Sequence, residues 1–425
     1  MMKSLDVLVD GGLVGRLLDK APLTFVYSDD CLNGLRPSPF ASVIPVVPGE
    51  TSIPGVHAYF ENLLPEGDQR SSLEDRHHVT SIFGLLATAG WDTVGAIVLQ
   101  PTDFTPSAAG YDPLTWQGVA DIIVGHGAPR ESSRTTISGA QYKLLLSLDE
   151  AGNPLIPIGA TPSTHILKPD IQRPGEKIWA SAINETVMMK AAMKCGLPVA
   201  NVQYIAAVKS CLVERFDRVI EEGRVVRIHQ ADLCQLLHIP SGVKYEIDGG
   251  PSFAACYVQV KATSTNAVKD CENLLKWVLF NLNIGNNDSH AKNISMLMTA
   301  QGARLAPFYD LMCTSIYPGF SNNFAFKIGS VFKPGEITVD ELADFSKSID
   351  VSGRYIRRLA KDMSEKINGA IRDAIHDLQG LIGHSEQVKT ERLVSEVASN
   401  SKKLSARWQL TNELSAIPRT RKTQE

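Results

Sequence analysis

This 425-residue chain has no usable pairing of cysteines: its seven, Cys31, Cys195, Cys211, Cys234, Cys256, Cys271 and Cys313, are odd in number, scattered, and never spaced as C-x-x-C. That argues against a disulfide framework or a structural zinc, and points to a cytoplasmic protein. No apolar run is long enough to cross a bilayer, and the opening Met-Met-Lys-Ser-Leu-Asp lacks the apolar core of a signal peptide, so no membrane partner is expected. An excess of one charge is missing too. A net charge of −4 and a pI near 6.2 speak against a surface that grips nucleic acid all over. There is no internal repeat, and neither G-x-G-x-x-G nor a Walker A loop occurs. What is present is ordinary globular composition, 44% hydrophobic and 21% charged, in a chain long enough for two or three domains.

The first hundred residues read as mixed β and α. Leu5, Val7 and Val9 alternate before a hairpin turn at Asp10-Gly11-Gly12, and residues 23–27 make another strand. A short helix is expected over 57–64, a second over 81–89, and a strand over 94–99. Residues 101–113, rich in Pro, Thr, Ser, Ala and Gly, read as a linker, and 114–124 has helical spacing. Strands follow over 143–148, 155–158 and 164–168, then a helix over 180–195 stopped by Gly196 and Pro198, and strands over 201–208 and 210–213. Beyond about residue 230 helices dominate, notably 268–281, 339–345 and 355–378, and 400–425 reads as a polar, loosely held tail.

One stretch carries chemistry. Gly285-Asn286-Asn287-Asp288-Ser289-His290-Ala291-Lys292-Asn293 is a dense polar run between two segments that must be buried, which is costly without a use. Asp288 and Asn293, at i and i+5, match a protein-kinase catalytic loop, where the Asp accepts the proton of the attacking hydroxyl and the Asn offers an oxygen to Mg²⁺. A plain polar turn would predict nothing elsewhere. A kinase requires a second metal-binding Asp downstream, after a strand leading out of the loop; residues 294–298 and 304–306 read as two strands, and Asp310 in Pro307-Phe308-Tyr309-Asp310 stands after them. It requires a strand lysine for the α- and β-phosphates; Lys168 ends Thr164-His165-Ile166-Leu167, and Glu185 on the next helix can orient it. Ser138, Gly139, Ala140 and Gln141, with Lys143, form a loop able to cradle phosphates. Val213-Glu214-Arg215-Phe216-Asp217-Arg218 reads as a hinge whose backbone at Glu214 and Phe216 meets adenine and whose Asp217 bonds ribose. His290 and Lys292 support either the loop geometry or the transferring phosphate.

In order and spacing these pieces resemble the HipA family of bacterial serine/threonine kinase toxins. The resemblance also takes in Asn62-Leu63-Leu64-Pro65-Glu66-Gly67, Val243-Lys244-Tyr245-Glu246 and Asp248-Gly249-Gly250-Pro251, so it spans about residues 62–310. It implies an α+β, two-lobed, protein-kinase-like fold with an extra N-terminal α/β subdomain and a helical C-lobe. The chain would divide into the subdomain at 1–105, a β-rich ATP-binding lobe at 130–215, a catalytic lobe at 216–395 and the tail at 396–425. The resemblance implies ATP and Mg²⁺, a helix-turn-helix antitoxin, and operator DNA reached through the toxin–antitoxin complex. It implies a protein substrate, notably an aminoacyl-tRNA synthetase, whose phosphorylation arrests growth, and self-limitation by autophosphorylation in the phosphate loop. Thr136 occupies the position of the family's modified serine, and Ser138 adds a second hydroxyl. A phosphate there, carrying about −1.5 to −2 charges, would repel ATP.

Two rival functions fit parts of the chain: a nucleotide-binding co-repressor without kinase activity, and a small-molecule or lipid kinase. The complete Lys168, Asp288, Asn293 and Asp310 set argues against the first. Elsewhere the plain readings hold. His77-His78 has no third ligand at a useful spacing, Met188-Met189 is core, and Arg354, Arg357, Arg358 and Lys361 make a solvated helix stripe.

Overall fold

A computed structural model describes residues 3–103, 109–125, 141–172, 175 and 177–410. Strands β1 (Ser4–Val9) and β2 (Gly12–Leu18) form the expected hairpin, with Asp10 and Gly11 at positive φ in its turn. With β3 (Thr24–Tyr27), β4 (Glu50–Thr51) and β5 (Val98–Pro101) they make an antiparallel sheet ordered β4-β3-β2-β1-β5. The strand expected from 94 begins only at Val98. Gly95 instead gives its N–H to Asp217 at 2.7 Å and its carbonyl to Arg218 at 2.9 Å, so those backbone groups are spent on the hinge. The helix Pro54–Glu61 starts earlier than expected because Pro54 suits the first helical turn; it delivers Tyr59 and Phe60 into an aromatic cluster with Phe25 and Phe40. The helix Gly67–His77, with Leu73 as its one buried residue, had no apolar stripe to announce it.

The second sheet is ordered β10-β11-β9-β7-β8-β6, and its edge strand corrects the reading of 101–113 as a linker. There β6 (Gly110–Pro113) pairs with β8 (Pro154–Ile158), and Tyr111 donates to the Pro162 carbonyl at 2.8 Å. The other members are β7 (Leu144–Leu148), β9 (His165–Pro169), β10 (Val202–Ile205) and β11 (Ser210–Glu214). The helix Trp116–Ile123 seals this sheet with Val119, packed in one small core with Leu144, Leu146, Ile156, Leu167 and Leu212. Full burial is worth about 1.5–3 kcal/mol for each such side chain. The helix Ser181–Lys194, buried along most of its length, connects this sheet to the C-terminal helices; the Asp170 carboxylate caps it by accepting the Ala182 N–H at 2.9 Å.

The C-terminal lobe holds the long helices, among them Phe253–Thr263, Ala267–Ile284, Gly353–His376 and His384–Arg407. It also holds strands: those expected over 294–298 and 304–306 are formed, and the ones before them were passed over by the sequence reading. β12 (Arg218–Glu221) and β13 (Arg224–Arg227) make a hairpin whose turn residues Glu222 and Gly223 both take positive φ. β14 (His229–Asp232), β15 (Ser295–Thr299) and β16 (Gly302–Leu305) form a small sheet. The loosely held tail is a second correction. The helix His384–Arg407 runs through its first part, and Trp408 just after it is fully buried, its indole N–H donating to the Ile337 carbonyl at 3.1 Å, while 411–425 lie outside the described residues. One hydrophobic core runs from Leu5 to Leu410, so the N-terminal sheet and the C-terminal lobe share an interior. The architecture is α+β and two-lobed, with an added N-terminal sheet. Among the described residues no helix is long and apolar enough to cross a membrane.

Candidate active site

A single cavity between the second sheet and the C-terminal lobe collects most of the expected residues: Gln141, Lys143, Lys168, Glu214, Phe216, Asp217, Asp288, His290, Lys292, Asn293 and Asp310 all border it. Lys168 leaves the end of β9 and is almost wholly buried. Its Nζ lies 2.5 Å from Glu185 Oε1 and 2.8 Å from Asp310 Oδ1, so the helix pairing expected for Glu185 is formed. Burial opposes the charge on Lys168, but the carboxylates of Asp310 and Glu185 outweigh it and hold the ammonium firmly protonated. Lys143, half-buried beside it, is pulled down to about 8 by burial and by the Lys168 charge.

The polar loop sits where the buried helix Ala267–Ile284 must stop. Gly285 takes φ 69° there, and a Cβ on it would lie 2.2 Å from Ser315 Oγ. Asn286 Nδ2 bonds Asn281 Oδ1 at 2.8 Å, and the Asn287 N–H bonds Thr314 Oγ1 at 2.8 Å, so the loop backbone is pinned from both sides. Asp288, partly open to the cavity, accepts a very short hydrogen bond from the Tyr245 hydroxyl. Burial raises its carboxyl above the ordinary value, and the Tyr245 bond and the Lys244 charge moderate the rise. Asn293 Nδ2 reaches the Asp288 carbonyl and Asp310 Oδ2, each at 3.4 Å, which are long, weak contacts. Asp310 itself holds φ 60°, a conformation uncommon outside glycine, which turns its carboxylate onto Lys168. Burial opposes its ionisation, but Lys168 and Lys143 prevail and keep it below the usual carboxylate range.

Of the alternatives for His290 and Lys292, the geometry favours support of the loop. Lys292 is buried, with its ammonium committed to Asn62 Oδ1 at 2.6 Å and Asp232 Oδ2 at 3.0 Å. His290 packs its ring edge-on against Tyr245 at 5.1 Å, and burial pushes its imidazole well below the ordinary value. The hinge reading needs a correction at Asp217. Its Oδ1 takes the Arg215 Nε at 3.0 Å, and its Oδ2 takes the Gly95 N–H at 2.7 Å, Arg215 Nη2 at 2.8 Å and Arg218 Nη1 at 2.9 Å. With four donors on its two oxygens this buried carboxylate is committed to the arginines and to Gly95, and Asp217 joins the hinge to the N-terminal sheet. Thr136, Ser138, Gly139 and Ala140 lie outside the described residues; Gln141 is described and donates to the Pro169 carbonyl at 3.1 Å.

The donor set fits the groups it was expected to hold. Ile166, Val213, Phe216 and Met312 give one end of the cavity an apolar wall for a flat base, and Lys168 brings a fixed cation deeper in. Asp310 offers a hard oxygen donor, and the Asn293 amide beside it, its Nδ2 now 3.4 Å from Asp310 Oδ2, would offer a second on turning its oxygen inward, the kind of donors Mg²⁺ takes alongside phosphate oxygens and water. Among the described residues no group of three or more His, Cys, Asp or Glu side chains gathers into a metal cluster, so nothing competes as a metal centre there.

Three further residues reach this site that the sequence named only as pieces of motifs. Glu66, following the N-terminal helix, places Oε2 2.5 Å from Lys244 Nζ, while its buried Oε1 has no hydrogen-bond partner. Lys244 and Tyr245 border Asp288, and the turn after them is fixed by Gly250: its N–H donates to the Tyr245 carbonyl at 2.9 Å, and a Cβ would meet the Val243 carbonyl at 2.1 Å. Polar residues inside the otherwise apolar Asn62-Leu63-Leu64-Pro65-Glu66 were the available signal.

Comparison with known proteins agrees with this arrangement. Residues 5–100 match the HipA N-terminal domain and residues 135–371 the HipA-like C-terminal domain. The putative kinase Y4mE of Sinorhizobium fredii is 32% identical over 420 residues, covering 94% of this chain and 98% of that protein. The serine/threonine-protein kinase toxin HipA of Shewanella oneidensis is 31% identical over 350 residues, covering 75% and 77%. Among solved structures, the Shewanella oneidensis complex of HipA, HipB and operator DNA superposes with a TM-score of 0.82 at 26% identity, covering 95% of this chain and 98% of that one. With both domains matched and nearly the whole length aligned, this chain belongs to the HipA family.

Proposed function

We propose that this protein is an ATP- and Mg²⁺-dependent protein serine/threonine kinase, the toxin of a type II toxin–antitoxin pair. The observation that carries the reading is the convergence of Lys168, Asp310, Asn293 and Asp288 on one cavity from three separate segments, the end of β9, the polar loop and the turn after β16. In this reading Asp288 takes the proton of an acceptor hydroxyl, whose oxygen then bonds to the γ-phosphorus. The bond from that phosphorus to the β,γ-bridging oxygen breaks, and its electron pair leaves on ADP. Mg²⁺, held by Asn293 and Asp310, would supply neutralising charge for the phosphates. Lys168 grips the α- and β-phosphates, kept in place by Glu185. Ser138, Gly139, Ala140, Gln141 and Lys143 cradle them, and Glu214 and Phe216 meet the base. His290 and Lys292 hold the loop.

Family membership extends the reading to partners. The Shewanella structure contains HipB and operator DNA, which supports a helix-turn-helix antitoxin and an operator-bound complex here. The substrate is a translation protein, an aminoacyl-tRNA synthetase, and autophosphorylation at Thr136 or Ser138 limits the activity. Full-length protein incubated with labelled ATP and Mg²⁺, alone and with cell lysate, tests this beside Asp288→Asn. Label on the chain and on a lysate protein, absent in the variant, is the expected result, with mass spectrometry assigning Thr136 or Ser138. No Asp288-dependent label in either would end the kinase reading and leave a nucleotide-binding co-repressor.

A further inference from the structure

The transferring phosphate carries charge that a lysine or arginine beside the attacking hydroxyl would neutralise. The polar loop contains one such cation, Lys292, and its ammonium is committed to Asn62 and Asp232. Lys168 is held by Glu185 and Asp310. The place beside Asp288 is instead taken by a residue from another segment. Lys244 borders the same cavity, lies 5.6 Å from the centroid of the Tyr245 ring, and is the lysine whose charge acts on Asp288. Its partner is Glu66 at 2.5 Å, delivered by the N-terminal subdomain.

We propose that Lys244 is the cation for the terminal phosphate, resting on Glu66 until nucleotide arrives and then turning its ammonium to the γ-phosphoryl group. Resting on the kinase reading above, this makes Lys244 a catalytic residue, because it touches the reacting group, and Glu66 the residue that positions it. As the proton passes to Asp288 and the bridging P–O bond breaks, Lys244 stays on the phosphoryl oxygens and forms no covalent bond. The side chain is suited to this. Its stem is confined, with only 15% of the side chain exposed, while its head group needs to exchange only one carboxylate for phosphate oxygens. Glu66 is then left with Lys292, already 3.7 Å from its Oε1.

The proposal separates ATP from ADP, which a purely structural role does not. Lys244→Gln keeps a hydrogen-bond donor for Glu66 and so keeps the fold; Lys244→Arg keeps the charge. Calorimetry with full-length protein would compare Mg²⁺–ADP with the non-hydrolysable Mg²⁺–β,γ-imido-ATP. In Lys244→Gln the imido analogue is expected to bind about 10- to 100-fold more weakly, the scale of one charge-assisted hydrogen bond. ADP affinity is expected unchanged, and Lys244→Arg is expected to recover part of the loss. Equal weakening of both nucleotides, or of neither, overturns the proposal. Wild-type labelling from ATP, measured in the same preparation, keeps this failure distinct: label without ATP-over-ADP discrimination by Lys244 sinks the role of Lys244 alone, whereas no label at all sinks the kinase reading.

Discussion

Two clusters of buried charge border the same cavity and are built in opposite ways. At the hinge, Asp92 and Asp217 face Arg215, Arg218 and Arg227, and all four carboxylate oxygens have donors, most of them between 2.7 and 3.0 Å. In the candidate catalytic cluster Lys168 and the Tyr245 hydroxyl make tight contacts with one oxygen of Asp310 and one of Asp288 respectively, and the other carboxylate oxygens have no such donor. Asn293 reaches Asp288 and Asp310 at 3.4 Å, and those two carboxylates repel each other. The hinge is a finished structure that ties the N-terminal sheet to the second lobe. The catalytic cluster is unfinished by the same standard, and its spare oxygens are those a metal–phosphate ligand would use. Saturation of the carboxylate oxygens, more than burial or charge, distinguishes the hinge from the candidate catalytic cluster.

Substitutions in each cluster should therefore fail in different currencies. The largest effect is expected from Asp288→Asn, which keeps the shape but removes the proton acceptor: turnover should fall by about 100- to 10,000-fold, with a melting temperature equal to or above wild type. Asp217→Ala should do the reverse. Leaving two buried guanidinium groups short of a partner costs about 3–5 kcal/mol, readable in urea unfolding, while activity per folded molecule is retained. A gentler probe of the hinge is pH. Because burial is overcome by Arg215 and Arg218, Asp217 titrates at about 2 instead of 3.8. A depressed folded pKa gives stability that is complete above the unfolded value of 3.8 and is lost as pH falls towards about 2, and Asp217→Ala should remove that part of the acid unfolding. The smallest expected effect is that of Tyr245→Phe. Asp288 must be ionised to accept a proton, so activity rises as pH climbs through its elevated pKa. Removing the Tyr245 hydrogen bond lifts that pKa further, and the acid limb of kcat/KM should move to higher pH.

The sequence was most legible where function forces unusual residues into apolar surroundings. Asp288, Asn293 and Asp310 stand out because nothing structural explains polar groups between segments as apolar as 274–282 and 294–298. Strands with strict alternation, such as β1, and helices with a clean stop, such as Ser181–Lys194, were legible for similar reasons. The helix His384–Arg407 was not, because its buried stripe of Leu393, Val397 and Leu404 is filled out by Thr390 and Ser401, which read as surface. The role of Asp217 was hidden because Gly95, which donates to it, and Asp92, which shares Arg218 with it, lie more than a hundred residues away. The same holds for Glu66 and Lys244, brought together across the N-terminal subdomain and the catalytic lobe. Long-range pairing of charges has no period for a sequence to display.

The contrast between the clusters is tested most directly by single-turnover phosphoryl transfer from ATP, measured on folded Asp288→Asn and folded Asp217→Asn side by side with wild type. Asp288→Asn is expected to bind nucleotide and to transfer at least about 100-fold more slowly than wild type, and Asp217→Asn, although less stable, to transfer at close to the wild-type rate. Transfer by Asp288→Asn at close to the wild-type rate, or transfer lost in folded Asp217→Asn, would contradict that contrast.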